Sequence, residues 1–342
     1  MTRWRPTLIT LALAMCCALP VSGAQARQQA PPGPDVSVLS AKALGGLGSG
    51  SAIGPDGALY VTHSLGGKLV RIDTASGAAT VVGRGLPKQV PGFGVGGPMD
   101  VSFIGDVAYV MVSVAGADVG GPDELMGIYR LRKNGTFAVV ADLGTWSRKH
   151  PPTDPDWFVG QGVQYSMDVW RGGLLVTDAH LGRVIRVNRN GRISELVGFG
   201  STDSVPLGLE VVGGTVFLTA AGPIPHLPSA SKIREVRRNG TTKVVGRWGP
   251  GYRGNRGLIV DVEEDGDGPM YGLLQGYWDL EPTFENEGFP AAHDTGEIVV
   301  VRADGTFRTV ARKLDQPTSM ELVGDVAYVV TYTGTVLRVE GF

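Results

Sequence analysis

A six-bladed β-propeller, its ring closed by an N-terminal strand that completes the last blade, is the fold this sequence predicts. Three observations predict it. Short strand-like runs come in groups of four, the groups recur about every 40–50 residues as propeller blades do, and the last group has one run too few.

The first blade is SAIG, ALYVTH, KLVRID and ATVVGRGL within residues 49–86. The second, in 96–146, is MDVSF, VAYVMV, GIYRLR and TFAVVADL; the third, in 165–200, is SMDVW, LLVTD, RVIRVN and RISELVGF. The fourth, in 205–250, is LGLEVV, TVFLTA, KIREVR and TTKVVGRW; the fifth, in 257–314, is LIVDVE, PMYGLL, EIVVVR and TFRTVARKL. Each run is β-branched or alternating and bounded by glycine-rich punctuation. Asn134-Gly135, Asn190-Gly191, Asn239-Gly240 and Asp304-Gly305 separate third from fourth runs; such pairs predict tight hairpins with positive φ at both residues. The same turns account for the Asn-Gly-Thr sequons at Asn134 and Asn239. Residues 316–342 supply SMELV, VAYVVTY and TVLRVE only. The missing fourth strand is assigned to VSVLSAKAL at 36–44, which resembles the other fourth runs. Closing the ring this way leaves no raw sheet edge where its ends meet.

Before the ring, MTRWRP carries Arg3 and Arg5, LITLALAMCCALPV is apolar, and Ala24-Gln25-Ala26 fits a small-x-small cleavage site. This predicts an export signal over 1–26, a linker over 27–34, a propeller over 35–342 and a secreted or periplasmic location. The apolar run is short for a membrane span, so no integral membrane segment is expected after cleavage. A lipid anchor on Cys16 is the minor variant, poorly served by Met15. Both cysteines lie in the leader, so the mature domain holds together without disulfides. With 42% hydrophobic and 19% charged residues the chain is globular. A net charge of −2 without a basic cluster excludes a nucleic-acid partner.

If the strands of a blade are lettered A to D from the axis outward, A–B and C–D links lie on one face, and B–C and D–A links on the other. The long links are 88–97, 114–127, 147–164, 222–231, 250–256 and 276–296, all of the second kind. Long loops on one face of a rigid scaffold mark the binding side. His63, His150, His180, His226 and His293 fall there, with Trp157, Phe158, Tyr165, Tyr252, Tyr277, Trp278 and Phe284.

Strand A repeats an acid. Aligned segments GGPMDV, QYSMDV, PLGLEV, GLIVDV and PTSMEL place Asp100, Asp168, Glu210, Asp261 and Glu321 at one position, where the first blade has Ile53. Converging carboxylates repel one another and resist desolvation, so they need protons, backbone donors or a cation. One expectation is Ca²⁺ in the channel, with Asp168 and Asp261 as its carboxylates. The other is that each acid binds backbone N–H groups of the next blade. Asp261-Val-Glu263-Glu-Asp265-Gly266 mimics the start of a Ca²⁺ loop but reads as a turn, and Gly92-x-Gly94-x-x-Gly97 has no helix to serve.

The stretches AIGPDGALYVTHSLGGKLVRID, GPMDVSFIGDVAYV, VVADLGTW, LLVTDAHLGRVIRVNRNGRISEL and VFLTAAGPIPHLPSASKIREV together resemble the ScyD/ScyE family of secreted bacterial propellers. The resemblance covers most of the mature chain and implies fold and export, without catalytic residues to carry over. Two functions remain. One is binding of a small molecule, glycan or protein on the loop-rich face. The alternative is a metal-dependent lactonase or ester hydrolase of the gluconolactonase type, using a ring acid with His63, Asp178 or His180 at the rim. A quinone cofactor bearing three carboxylates suits an acidic channel poorly.

Overall fold

The fold is described from a computed structural model, over residues 33–41, 44, 48–122, 125–152, 159–199, 205–222, 226–227, 229–237, 239–250, 252, 254–264, 266, 268–278 and 291–342. The expected leader, with Cys16, most of the expected linker, Trp157, Phe158 and Phe284 lie outside the described residues.

Twenty-four strands among the described residues form six antiparallel sheets of four. After β1 (Asp35–Ser40), the first blade is β2 (Gly48–Ile53), β3 (Leu59–His63), β4 (Lys68–Ile72) and β5 (Ala79–Arg84). The second is β6 (Gly97–Ile104), β7 (Val107–Ser113), β8 (Gly127–Leu131) and β9 (Phe137–Asp142). The third is β10 (Gln164–Trp170), β11 (Gly173–Asp178), β12 (Arg183–Val187) and β13 (Ile193–Gly198). The fourth is β14 (Pro206–Val212), β15 (Thr215–Ala220), β16 (Lys232–Val236) and β17 (Thr242–Arg247). The fifth is β18 (Ile259–Glu264), β19 (Met270–Leu274), β20 (Gly296–Val301) and β21 (Phe307–Leu314). The sixth is β22 (Pro317–Val323), β23 (Val326–Thr331), β24 (Val336–Glu340) and β1, which lies antiparallel to β24 with Asp35 opposite Glu340 and Val38 opposite Leu337. The N-terminal strand closes the wheel, in the order the strand count predicts.

The core is a set of wedges between blades. Leu59, Val61 and Ile72 of the first blade pack on Val330 and Val336 of the sixth. Met99, Met111 and Ile128 of the second pack on Met167, Leu174 and Ile185 of the third. Ile233 of the fourth packs on Ile259, Leu274 and Val299 of the fifth. Fully burying one such side chain contributes about 1.5–3 kcal/mol. The period-2 alternation of each run therefore has two apolar destinations, because an inner strand meets a blade on either side.

Two local expectations need correction. Only the glycines of the Asn-Gly and Asp-Gly turns take positive φ: Gly135 77°, Gly191 76°, Gly240 81° and Gly305 77°. The preceding residues stay at negative φ, as in a type I turn ending in a left-handed glycine. The cause is local. Asn134 Oδ1 accepts from the Thr136 N–H and hydroxyl, and Asn239 and Asp304 do the same with Thr241 and Thr306. The second difference is α1 (Leu143–Lys149), at the start of the link after the second blade. Asp142 caps it by accepting from the Thr145 N–H, and Arg148 and Lys149 lie in its last turn. This is the cap-and-charge arrangement that stabilises a short helix. Among the described residues no helix is long and apolar enough to cross a membrane.

Candidate ligand cavity

In every blade the pairing of strands A and B slips just before the repeated acid position: between Gly48 and Ser51, Pro98 and Asp100, Gln164 and Met167, Pro206 and Leu209, Ile259 and Asp261, and Pro317 and Ser319. A slip of this kind re-aims the next side chain. Here it allows strand A to send a carboxylate across to its neighbour as well as toward the axis.

Asp100 Oδ1 accepts from the Val101 N–H at 2.8 Å; its Oδ2 accepts from the Met167 N–H at 2.6 Å and the Ser166 hydroxyl at 3.0 Å, both in the third blade. Asp168 accepts from the Val169 N–H and, at 2.7 Å, from Val211 in the fourth blade. Asp261 accepts from the Val262 N–H and from Met320 in the sixth, each at 2.9 Å. Glu321 reaches the Ile53 N–H at 3.3 Å and the Ser51 hydroxyl at 3.2 Å in the first. Four of the five acids thus bridge inner strands of successive blades. Glu210 accepts no hydrogen bond among the described residues, and neither does Glu263, two residues beyond Asp261 on the same strand.

Opposite this acid-rich side, the first blade has glycine and serine. A Cβ on Gly50 would lie 2.1 Å from Asp100 Oδ1 and 2.6 Å from the Met99 carbonyl, so no larger residue fits beside that carboxylate. Hydroxyl pairs Ser49–Ser64 and Ser51–Ser319 line the same wall at 2.6 and 2.8 Å.

A cavity of about 770 Å³ follows the axis from these carboxylates toward the loop-rich face. Asp100, Asp168, Glu210, Asp261, Glu263 and Glu321 line its depth; Tyr165, His180, His226, Gln275, Trp278 and Tyr332 line its upper wall. Phe93 and Val95, from the link that carries the three spaced glycines, are among the apolar residues at the mouth.

Other predicted residues have different positions. Asp178 is fully buried, 3.2 Å from Arg183 Nε, and accepts from the Val163 N–H. Arg183 also donates to the His150 carbonyl and stacks on Trp146, so this ion pair anchors the link after α1. Tyr277 donates to the buried Glu297, which also takes Arg256, Arg312 and Thr309. Arg256 lies over the rings of Trp248, Tyr252 and Tyr277. His63 is buried at the end of β3 and does not line the cavity. His150 stacks on Trp146, and His293 pairs with Asp315.

Burial dominates the electrostatics. It pushes Asp168 up to about 6 against its two backbone donors, and Asp261 up to about 7, with Asp168 adding to the rise. Glu210 rises to about 9 through burial and the charges of Asp168, Glu321 and Asp261. Glu263, Glu321 and Asp100 lie well above the usual carboxylate range, burial first. Burial takes His180 down to about 4, leaving a neutral imidazole.

The folded chain retains protons on these acids that the unfolded chain releases near pH 4, so folding takes up protons at higher pH and stability falls as pH rises. The expected result is a melting temperature that declines from about pH 5 to about pH 9 in calorimetric scans. A melting temperature that rises across that window would contradict the protonated channel.

Asp168 and Asp261, the pair expected to hold Ca²⁺, each accept one backbone N–H on either oxygen, which leaves one lone pair per oxygen. Among the described residues no three His, Cys, Asp or Glu side chains are grouped to hold a metal ion.

No family model matches the chain, and no curated protein does. Solved structures do. Virginiamycin B lyase from Staphylococcus aureus aligns over 90% of this chain and 100% of its own, with 13% identity and a TM-score of 0.56. A gluconolactonase from Xanthomonas campestris aligns over 89% and 87%, with 11% identity and a TM-score of 0.57. A PQQ-bound aldose sugar dehydrogenase from Streptomyces coelicolor aligns over 91% and 99%, with 14% identity and a TM-score of 0.55. At such identity the likeness shows the six-bladed fold alone.

Proposed function

We propose that this protein binds a small hydrogen-bonding molecule in the axial cavity, admitted from the loop-rich face and anchored at depth by Glu210 and Glu263. The observation that carries this reading is the division among the acids. All six line the cavity; four also bridge blades, whereas these two accept no hydrogen bond among the described residues. As protonated carboxyls near neutral pH they both donate and accept, which suits an uncharged polar ligand. The cavity volume is in the range of small-molecule sites. An exported, ScyD/ScyE-like binding propeller is the form of this reading that the apolar N-terminal stretch and the repeat sequence support.

A thermal-shift screen of small metabolites tests the reading. Glu210→Leu removes a desolvated acid and orphans no backbone donor, so its melting temperature is expected to rise by a few degrees. The same variant should lose the stabilising ligands found with the parent chain. Retention of every ligand by Glu210→Leu would refute the anchor. The gluconolactonase-type alternative requires a cation: a melting temperature lowered by chelator and restored by Ca²⁺ would favour it.

A further inference from the structure

Beyond Leu274, the B strand of the fifth blade continues as an irregular ladder against residues 255–258. The Gln275 N–H donates to Leu258 at 2.9 Å, the Gly257 N–H to Gly276 at 2.7 Å, and the Trp278 N–H to Asn255 at 2.8 Å. This fixes the backbone of a segment whose side chains go two ways. Tyr277 turns to Glu297, while Gln275 and Trp278 line the cavity, with the ring of His226 centred 6.4 Å from that of Trp278.

Gln275 Oε1 and Trp278 Nε1 are buried and have no hydrogen-bond partner among the described residues. Buried polar atoms are nearly always paired, and each orphan keeps the cost of its lost hydration. Two on one short segment of a cavity wall are a cost that a guest would remove. The backbone around them is already matched by the ladder, so the shortfall lies in the side chains alone.

We propose that Gln275 and Trp278 form a subsite for a hydroxyl group of a polyol or sugar; this rests on the cavity being the binding site and names its ligand class. The chemistry of the two atoms selects the group. Indole N–H only donates and an amide oxygen only accepts. A carboxylate answers the first but not the second, and an ammonium the reverse. A hydroxyl answers both, donating to Gln275 and accepting from Trp278, once a rotation of the Gln275 amide and a shift of the Trp278 ring away from Gly257 bring the two buried atoms to the lumen. The Trp278 ring offers an apolar face to the ligand's C–H groups. Elsewhere on the cavity wall, Ser49, Ser64, Ser51 and Ser319 bring four more hydroxyls, which reorient without cost in charge. Glu210 and Glu263 provide the deeper contacts of the same guest.

The test uses the full chain with ¹⁵N-labelled tryptophan, the Trp278 indole resonance being identified by its loss in Trp278→Phe. D-glucose, myo-inositol and glycerol are titrated in turn, with tetramethylammonium and acetate as charged comparisons. The expected result is a saturable shift of the Trp278 resonance with at least one polyol, weakened at least about tenfold in Gln275→Leu, a loss typical of one buried hydrogen bond. The charged probes should leave it unmoved. No saturable shift with any of the three polyols overturns the subsite, as does an equal response in Gln275→Leu or a response to the charged probes alone. Any of these three outcomes, with the Glu210-dependent ligands of the thermal screen intact, leaves the cavity reading standing. Loss of those ligands as well removes both.

Discussion

A chain lacking residues through Ser40 is expected to lose its cooperative thermal transition and to elute as aggregate. β1 supplies the fourth strand of the last blade, and without it β24 becomes a bare edge open to pairing with other chains. The strand also links blades directly: the Ser40 hydroxyl donates to the Gly77 carbonyl of the first blade at 2.8 Å, and Leu39 packs with the wedge between the sixth and first. Loss of about five ladder hydrogen bonds at roughly 1 kcal/mol each approaches the whole stability margin of an ordinary domain. Transposition separates closure from mere truncation. Since β1 runs antiparallel to β24, moving DVSVLS behind Phe342 through a short turn recreates the meander of the other blades. That variant should recover a sharp transition within a few degrees of the parent, whereas persistent aggregation would show that the strand does something other than close the ring.

The wheel was legible because its rules are local and repeated. Alternation of period two, glycine turns and a missing final strand are all written in the one-dimensional string, and six copies average out the noise of any one. Turn geometry was less legible. Whether Asn134 adopts positive φ depends on its own side chain bonding Thr136, which competes with the backbone preference of the pair. The acids show the same limit at the level of the site. Their common position in strand A is visible in the alignment, but reach is not. Asp100, Asp168, Asp261 and Glu321 find the next blade's N–H groups through the offset between sheets, and Glu210 does not.

Glu263 sits outside the repeat and enters the sequence reading only within the Ca²⁺-loop mimic taken as a turn, whereas β18 runs on through Glu264. Its signal was present, since residues two apart on a strand share a face and Asp261 had already been placed at the axis. Gln275 carries no charge and stands in no motif; only the ladder beyond β19 shows what it faces. Conversely, Asp178 reads as a rim acid until Arg183, five residues on, is found fully buried beside it.

Asp100→Ala is expected to destabilise the domain by about 3 kcal/mol, read as a lower denaturation midpoint with little change in slope. Asp100 is 6% exposed, and its carboxylate serves the Val101 and Met167 N–H groups and the Ser166 hydroxyl. Alanine leaves two backbone donors without the acceptor that joined them, between strands too tightly packed to close over them. The Ser166 hydroxyl can rotate and is discounted. Against this stands the removal of a desolvated acid, the effect that makes Glu210→Leu stabilising. The sign of each substitution therefore depends on the number of backbone donors left behind: two for Asp100, none for Glu210. Asp100→Asn separates the terms. It keeps one acceptor and no charge, so it should cost about half as much as alanine and lessen the fall of stability with rising pH. An Asp100→Ala chain as stable as its parent would mean that the seams between blades are held by apolar wedges alone. The division of the acids into bridging and ligand-facing groups, from which the cavity's anchor was inferred, would then lose its basis.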